Sequence, residues 1–443
     1  MRDPDPSFPL SRRALIRGGA LLGAGAALSA VPFLPLMAKQ AAGLERWPAV
    51  RALVRDYVSS RRVANMVGYI GEGGAPPALI AEGYDTMGGS RPSDADSLYR
   101  IYSMTKPITG MAAMMLIEDG KLELDQPLAD ILPKFARVNV QKNYDGSIGP
   151  ENLEPAVRPI TIRHLVTHTS GLGYSIIQQG PIKEAMERAG VIAGQISRVK
   201  VPGLFRGEPV RSLELFADRL AEIPLVYQPG TRWSYSMGLD LMGRVIEVVS
   251  GRPFDAFLKE RIFDPCGMAS TWFRVPESEV PRLTSNYVVV DGTLLPIDPP
   301  SASIYLDEPA FPFGGAGLVS SPRDYDRFLA MLAGYGTIDG RRVMGEAAVR
   351  MGTSNLLPDT MDPADEFARQ WGFGAGGRVG LPGTPGQGTY GWGGAAGTIG
   401  FVDMASGLRA GLFTQYMPSQ AYPLYEEFPA AVTKDVAFQK GES

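Results

Sequence analysis

The sequence predicts a mixed α/β protein of the α+β kind: an antiparallel sheet flanked by helices, with a mainly helical lobe inserted between the two halves of the sheet. Three observations predict it. Before residue 120 the chain has strand-like runs, Met66 to Ile70 and Ala78 to Gly83, next to runs of helical spacing. From Lys121 to about Pro300 it is rich in helices and loops. From Gly314 onward strands return, at Gly397 to Asp403 and Leu408 to Gln415, and a helix around Tyr422 to Phe438 ends the chain. Joining both ends into one sheet is the simplest way to bury these faces. Residues 43–443 then divide into a sheet lobe, about 43–120 and 310–443, and a helical lobe, about 121–309, with a cleft between them.

The first residues carry an address. Ser11-Arg12-Arg13-Ala14-Leu15-Ile16 precedes an apolar, Gly/Ala-rich run from Gly18 to about Ala38. Paired arginines ahead of a modestly hydrophobic stretch are similar to a twin-arginine export signal, here residues 1–42, which implies a periplasmic or secreted protein. The alternative is a membrane anchor left uncleaved. Pro32, Pro35 and the weak hydrophobicity of Gly and Ala argue against a permanent spanning helix, so no stable membrane insertion is expected beyond this segment. Cys266 is the only cysteine and has no partner for an internal disulfide.

Leu44 to Arg62 then reads as an amphipathic helix, and the strand pair follows. The run Ser97-Leu98-Tyr99-Arg100-Ile101-Tyr102 is β-like and leads directly into a helix in which Ile108, Met111, Ala112, Met115 and Leu116 recur at helical spacing until Asp119-Gly120. In the middle, Leu213 to Ile223 and Gly238 to Val249 are amphipathic helices, while Val138 to Pro159 and Gly180 to Pro209 read as loops. Arg323 to Ala333 is helical. A net charge of −4, with no basic run, argues against a nucleic-acid partner.

Chemistry concentrates at Ser103-Met104-Thr105-Lys106. A serine and a lysine three residues apart share one face of a first helical turn, so an amine can reach the hydroxyl. The serine also begins a buried helix, whose main-chain N–H groups and dipole favour a developing oxyanion. Taken alone it could be a plain helix cap. A second match to the spacing, Ser197-Arg198-Val199-Lys200, lies among Gly194, Pro202 and Gly203 and reads as a solvated loop. The only histidines, His164 and His168, fall in one short segment, and no Gly-x-Ser-x-Gly elbow exists, which disfavours a Ser-His-Asp hydrolase. Leu165 stands where a metalloprotease helix needs its glutamate, so no metal site is expected there.

Two further segments fit the serine. Pro229-Gly230-Thr231-Arg232-Trp233 turns the chain into Ser234-Tyr235-Ser236-Met237 at a helix start, where a phenol beside a lysine ammonium can act as base; alone, Tyr235 could simply brace the turn. In Tyr390-Gly391-Trp392-Gly393-Gly394-Ala395-Ala396-Gly397-Thr398 the glycines allow main chain close to a substrate, and the N–H of Ala395 could join that of Ser103 as an oxyanion donor; alone, this could be a glycine-rich hairpin turn.

In this order the motifs resemble those of the serine β-lactamase and penicillin-binding-protein superfamily: Ser-x-x-Lys at Ser103 to Lys106, Tyr-Ser-x at Tyr235 to Met237, and a sheet-edge triplet at Trp392 to Gly394. Supporting stretches are His164 to Leu172, Pro229-Gly230-Thr231 and Gly315 to Ser321. The resemblance covers nearly everything after the signal and implies a β-lactamase-like fold. Two departures narrow it. Met237 stands where class C β-lactamases have asparagine, and Trp392-Gly393-Gly394 replaces Lys-Thr-Gly, removing the cation that would hold a β-lactam carboxylate. This looks like the family VIII carboxylesterases. The resemblance implies a small-molecule ester substrate, an acyl-enzyme on Ser103 served by Lys106 and Tyr235, an oxyanion hole of Ser103 and Ala395, substrate contacts from Met237, Trp392, Gly393 and Gly394, and no cofactor. The rival readings are a β-lactamase or D-alanyl peptidase, an acyltransferase, and a catalytically silent binding protein of the same fold.

Overall fold

The computed structural model describes residues 45–192, 194–199, 207–384 and 386–441. The export-type segment 1–42 and Lys200 lie outside the described residues.

The expected antiparallel sheet flanked by helices is present. The first helix among the described residues, α1 (Pro48–Ser59), starts with a proline in its first turn, where a missing N–H costs nothing, and buries Val50, Val54 and Tyr57 along one face. Strands β1 (Asn65–Glu72) and β2 (Ala78–Gly83) pair antiparallel. Helix α2 (Thr105–Glu118) follows, then α3 (Ile162–Val166), α4 (Leu213–Leu220) and α5 (Gly238–Ser250) in the middle of the chain, and α6 (Pro322–Ala333). The remaining sheet strands are β3 (Gly372–Phe373), β4 (Arg378–Val379), β5 (Thr389–Gly394), β6 (Thr398–Asp403) and β7 (Leu408–Phe413), before the terminal helix α7 (Leu424–Lys440). The seven strands stand in the order β3-β4-β5-β6-β7-β1-β2, so the two ends of the chain meet where β7 pairs with β1.

Alternation along β1 divides the interior. Met66 and Ile70 join Val50, Val54, Leu424 and Phe428 on one face, beneath α1 and α7. Val67 and Tyr69 join Ile108, Met111, Tyr325 and Phe328 on the other, against α2 and α6. Helix α2 is buried through twelve of its fourteen residues, and it also packs on α5, which ties the sheet to the helical middle.

The structure corrects the reading of the middle. Gly180–Arg188 is a helix that buries Ile182 and Met186, one turn apart, where the sequence suggested loop. Within Val138 to Pro159, Asn139–Gln141 and Leu153–Pro155 form a short strand pair. Asn286–Val290 and Thr293–Asp298 form a hairpin whose corner, Asp291-Gly292, has positive φ at both residues, 49° and 75°. Asp-Gly between apolar runs is the hairpin signal that sequence reasoning passed over. Ser197 to Val199 are irregular and part-exposed, with Arg198 paired to Asp307. Among the described residues no helix is long and apolar enough to cross a membrane.

Candidate active site

From Ser97 to Leu116 every residue is buried except Ser103, which is half-buried at the entry to α2. The turn that presents it is held from behind. Arg100, with no exposed surface, lies 2.6 Å from Asp298 Oδ2 and donates to Asp298 O and Ser303 Oγ. Ile101 N–H donates to Leu318 O at 3.0 Å. Between them and the serine, Tyr102 adopts φ 41°, a left-handed conformation that a bulky residue accepts only under constraint. Its hydroxyl accepts from Asn286 Nδ2 at 3.1 Å, anchoring the ring in the hairpin base.

Ser103 Oγ is the meeting point of the sequence-derived groups. Lys106 Nζ, one turn along α2, lies 3.3 Å away, and Tyr235 Oη lies 2.7 Å away. Lys106 Nζ also donates to Gly315 O at 2.6 Å and sits 4.5 Å from the centre of the Tyr235 ring. Trp392 Nε1 donates to Tyr235 Oη at 3.2 Å. The structure therefore brings Ser103, Lys106, Tyr235 and Trp392 into one contiguous cluster.

The sheet supplies the opposite wall. Within β5, β4 pairs only with Tyr390 and Gly391, so among the described residues no strand covers the outer edge of Trp392 to Gly394. Gly394 lies so close to Ile101 O that a side chain there would collide with it, and Tyr425 Oη donates to Gly394 O at 2.5 Å. Gly397 N–H closes the turn back to Gly394 O at 3.0 Å. Ala395 sits at the corner of this turn, and its N–H has no hydrogen-bond acceptor among the described residues. Met237 departs from the expectation. It stands immediately before α5, is completely buried in the main apolar core, and offers no surface to a substrate.

Both histidines are engaged by main chain. His164 Nδ1 accepts from Thr161 N–H at 3.2 Å in a capping box at the start of α3. His168 Nδ1 accepts from Ser236 N–H at 3.2 Å, and its ring lies 4.8 Å from that of Tyr235, so it braces the tyrosine from behind. Burial, reinforced by the Arg158 charge, lowers His164 to about 4. Burial, with the Lys106 charge beside it, holds His168 well below the usual histidine range. Burial pushes the Cys266 thiol up to about 12, leaving it unreactive. Among the described residues no group of three or more His, Cys, Asp or Glu side chains is placed to hold a metal ion.

Sequence reasoning missed Asp240 and Ser236. Asp240 Oδ1 accepts from Gly315 N–H at 2.8 Å, and Gly315 is the residue whose carbonyl takes Lys106. Ser236 Oγ lies 2.9 Å from His168 Nδ1. A signal existed for the first: Asp240 is an acidic residue in the apolar first turn of α5, five positions after Tyr235.

The profile of the family described as Beta-lactamase matches residues 50–431. Esterase EstB of Burkholderia gladioli is 32% identical over 384 residues, covering 82% of this chain and 88% of EstB. Protein Rv1367c of Mycobacterium tuberculosis is 32% identical over 352 residues, 76% of this chain and 82% of its own. Among solved structures, EstCE1, described as a hydrolase with promiscuous acyltransferase activity, superposes with a TM-score of 0.70 at 26% identity, covering 88% of this chain and 99% of EstCE1. With the profile spanning most of the chain, and the same fold in a solved relative, this protein belongs to the Beta-lactamase family.

Proposed function

We propose that this protein is an exported serine hydrolase that cleaves carboxylic esters through an acyl-enzyme on Ser103. The observation that carries the reading is the convergence of Lys106 Nζ at 3.3 Å and Tyr235 Oη at 2.7 Å on Ser103 Oγ. Ser103 Oγ attacks the ester carbonyl, and the Lys106 and Tyr235 pair takes its proton and passes it to the leaving alcohol. The N–H groups of Ser103 and Ala395 receive the oxyanion, the second from a turn that leaves it without an acceptor among the described residues. Water then attacks the acyl-enzyme by the same proton route in reverse. No cofactor enters these steps.

Ester rather than lactam is supported by Trp392. An indole occupies the position where an ammonium would hold a carboxylate, and the names Esterase EstB and Lovastatin esterase among the relatives agree. Export is supported by Arg12-Arg13 ahead of the apolar run. Acyl transfer to an alcohol is the second reading, favoured by the promiscuous acyltransferase activity stated for EstCE1.

The test is a parallel rate assay of the protein lacking residues 1–42 on p-nitrophenyl butyrate and nitrocefin, with Ser103→Ala as control. Ester cleavage lost in Ser103→Ala, with little nitrocefin turnover, is the expected result. A preference for nitrocefin would make the chain a β-lactamase, and an unchanged Ser103→Ala would refute the scheme. An added alcohol that competes with water would identify a transferase.

A further inference from the structure

Lys106 and Asp240 face each other across one residue. The segment Gly314 to Leu318 runs as a strap between α2 and α5: Thr109 Oγ1 donates to Gly314 O at 2.7 Å and Leu318 N–H donates to Thr105 Oγ1 at 3.2 Å. At its centre Gly315 presents its carbonyl to Lys106 Nζ and its N–H to Asp240 Oδ1, at 2.6 and 2.8 Å. The glycine is required, because a Cβ at 315 would collide with the Asp240 carboxyl.

Asp240 has no exposed surface, and its second oxygen, Oδ2, has no hydrogen-bond partner among the described residues. A buried carboxylate with an orphaned oxygen is costly and calls for an offsetting charge. That charge is Lys106. Burial raises the Asp240 carboxyl to about 6, and the attraction of Lys106, followed by the Gly315 N–H, opposes the rise. Among the described residues, the other titratable groups around the pair carry no positive charge. They are Tyr174, whose ring lies 5.5 Å from Lys106 Nζ, Tyr235, and the neutral His168.

We infer that Asp240 is a positioning residue for the reaction: through the Gly315 peptide and its own negative charge it keeps Lys106 protonated and directed at Ser103, leaving Tyr235 to receive the serine proton. The inference rests on the acyl-enzyme reading above and divides the base role that the reading leaves to the pair. The tyrosine phenolate takes the Ser103 proton as the Oγ–carbonyl bond forms and the carbonyl electrons pass to the oxyanion. On collapse the bond to the leaving alcohol breaks, and the alkoxide takes that proton from Tyr235. Lys106 gains and loses nothing. The carboxylate acts on Lys106 through a single peptide, so it favours positive charge on Lys106 with an ionised Tyr235 over a neutral amine beside a neutral phenol.

The experiment is a pH profile of kcat and kcat/KM on p-nitrophenyl butyrate for the wild type, Asp240→Asn and Ser103→Ala. Asparagine keeps an oxygen for Gly315 N–H and removes only the charge. The expected result is a profile displaced to lower pH by about one unit and a kcat about tenfold lower with KM changed by less than about threefold. A profile that stays in place, whatever its height, overturns the inference, since a purely structural role would not move it. Should Asp240→Asn not fold, the rate of fluorophosphonate labelling of Ser103 in Tyr235→Phe decides. A large loss is expected, and labelling at the wild-type rate overturns the inference. Turnover surviving in Ser103→Ala would instead overturn the reading beneath it.

Discussion

Trp392 Nε1 donates to Tyr235 Oη at 3.2 Å, so the first residue of the sheet-edge triplet acts on the same phenol that lies 2.7 Å from Ser103 Oγ. An ammonium in this position would attract a substrate carboxylate. The indole instead directs its single N–H at the phenol oxygen, and its apolar ring stands 5.7 Å from the Tyr235 ring. Trp392→Phe keeps a ring and deletes the donor. A hydrogen bond to an ionised oxygen contributes about 1.5–3 kcal/mol, so kcat on p-nitrophenyl butyrate should fall roughly 10- to 100-fold with KM nearly constant, measured by steady-state kinetics.

Removing either group that converges on Ser103 Oγ should cost more. Lys106→Met and Tyr235→Phe should each lower kcat by about 10²–10⁴-fold, the usual share of a positioned acid or base. Circular dichroism should show both variants folded. If either keeps wild-type kcat, that residue has no part in activating Ser103.

Gly394→Ala should slow labelling of Ser103 by a fluorophosphonate. A Cβ at 394 would collide with both Ile101 O and Thr398 Oγ1. The strand must therefore withdraw from the serine turn, at a cost of about 1–3 kcal/mol for the overpacking. Labelling rate and Tm should fall together, and a normal rate would show that the close approach of β5 is dispensable.

Arg100 and Asp298 are both without exposed surface, so Arg100→Met would strand a buried carboxylate and should destabilise the protein by about 3–5 kcal/mol. Urea unfolding would measure it. The double variant Arg100→Met, Asp298→Leu should recover much of the loss, because neither charge is then left alone. Equal stability of the single and double variants would contradict this account.

Asp240 should also leave a mark on stability. Its folded carboxyl is raised to about 6 by burial, above the ordinary carboxylate value, so the folded state resists ionisation. The resulting penalty is absent below about pH 4, where the group is protonated in both states, and complete above about pH 6. The Tm of Asp240→Asn relative to the wild type should therefore rise as pH goes from 4 to 7. A constant difference across that range would show that the carboxyl is not strained by folding.

The sequence by itself singled out Ser103, Lys106 and Tyr235 as the candidate nucleophile and its partners, because their chemistry is written in short, local spacings. Ser103 and Lys106 share a helical face wherever that helix forms, and Tyr235 follows a turn set by Pro229-Gly230. The runs Ala78 to Gly83 and Leu408 to Gln415 likewise read as strands of the antiparallel sheet. The short strands Gly372–Phe373 and Arg378–Val379 were not legible, since two residues carry no period and exist only by pairing with neighbours. Tertiary structure alone decided which way Met237 faces, for a methionine suits a cleft and a core equally, and here α5 turns it into the core. It alone also joined Asp240 to Lys106, residues on separate helices linked by a glycine far along the chain at 315. Such a contact depends on how α2, α5 and the strap pack together, and no local pattern of residues encodes that arrangement.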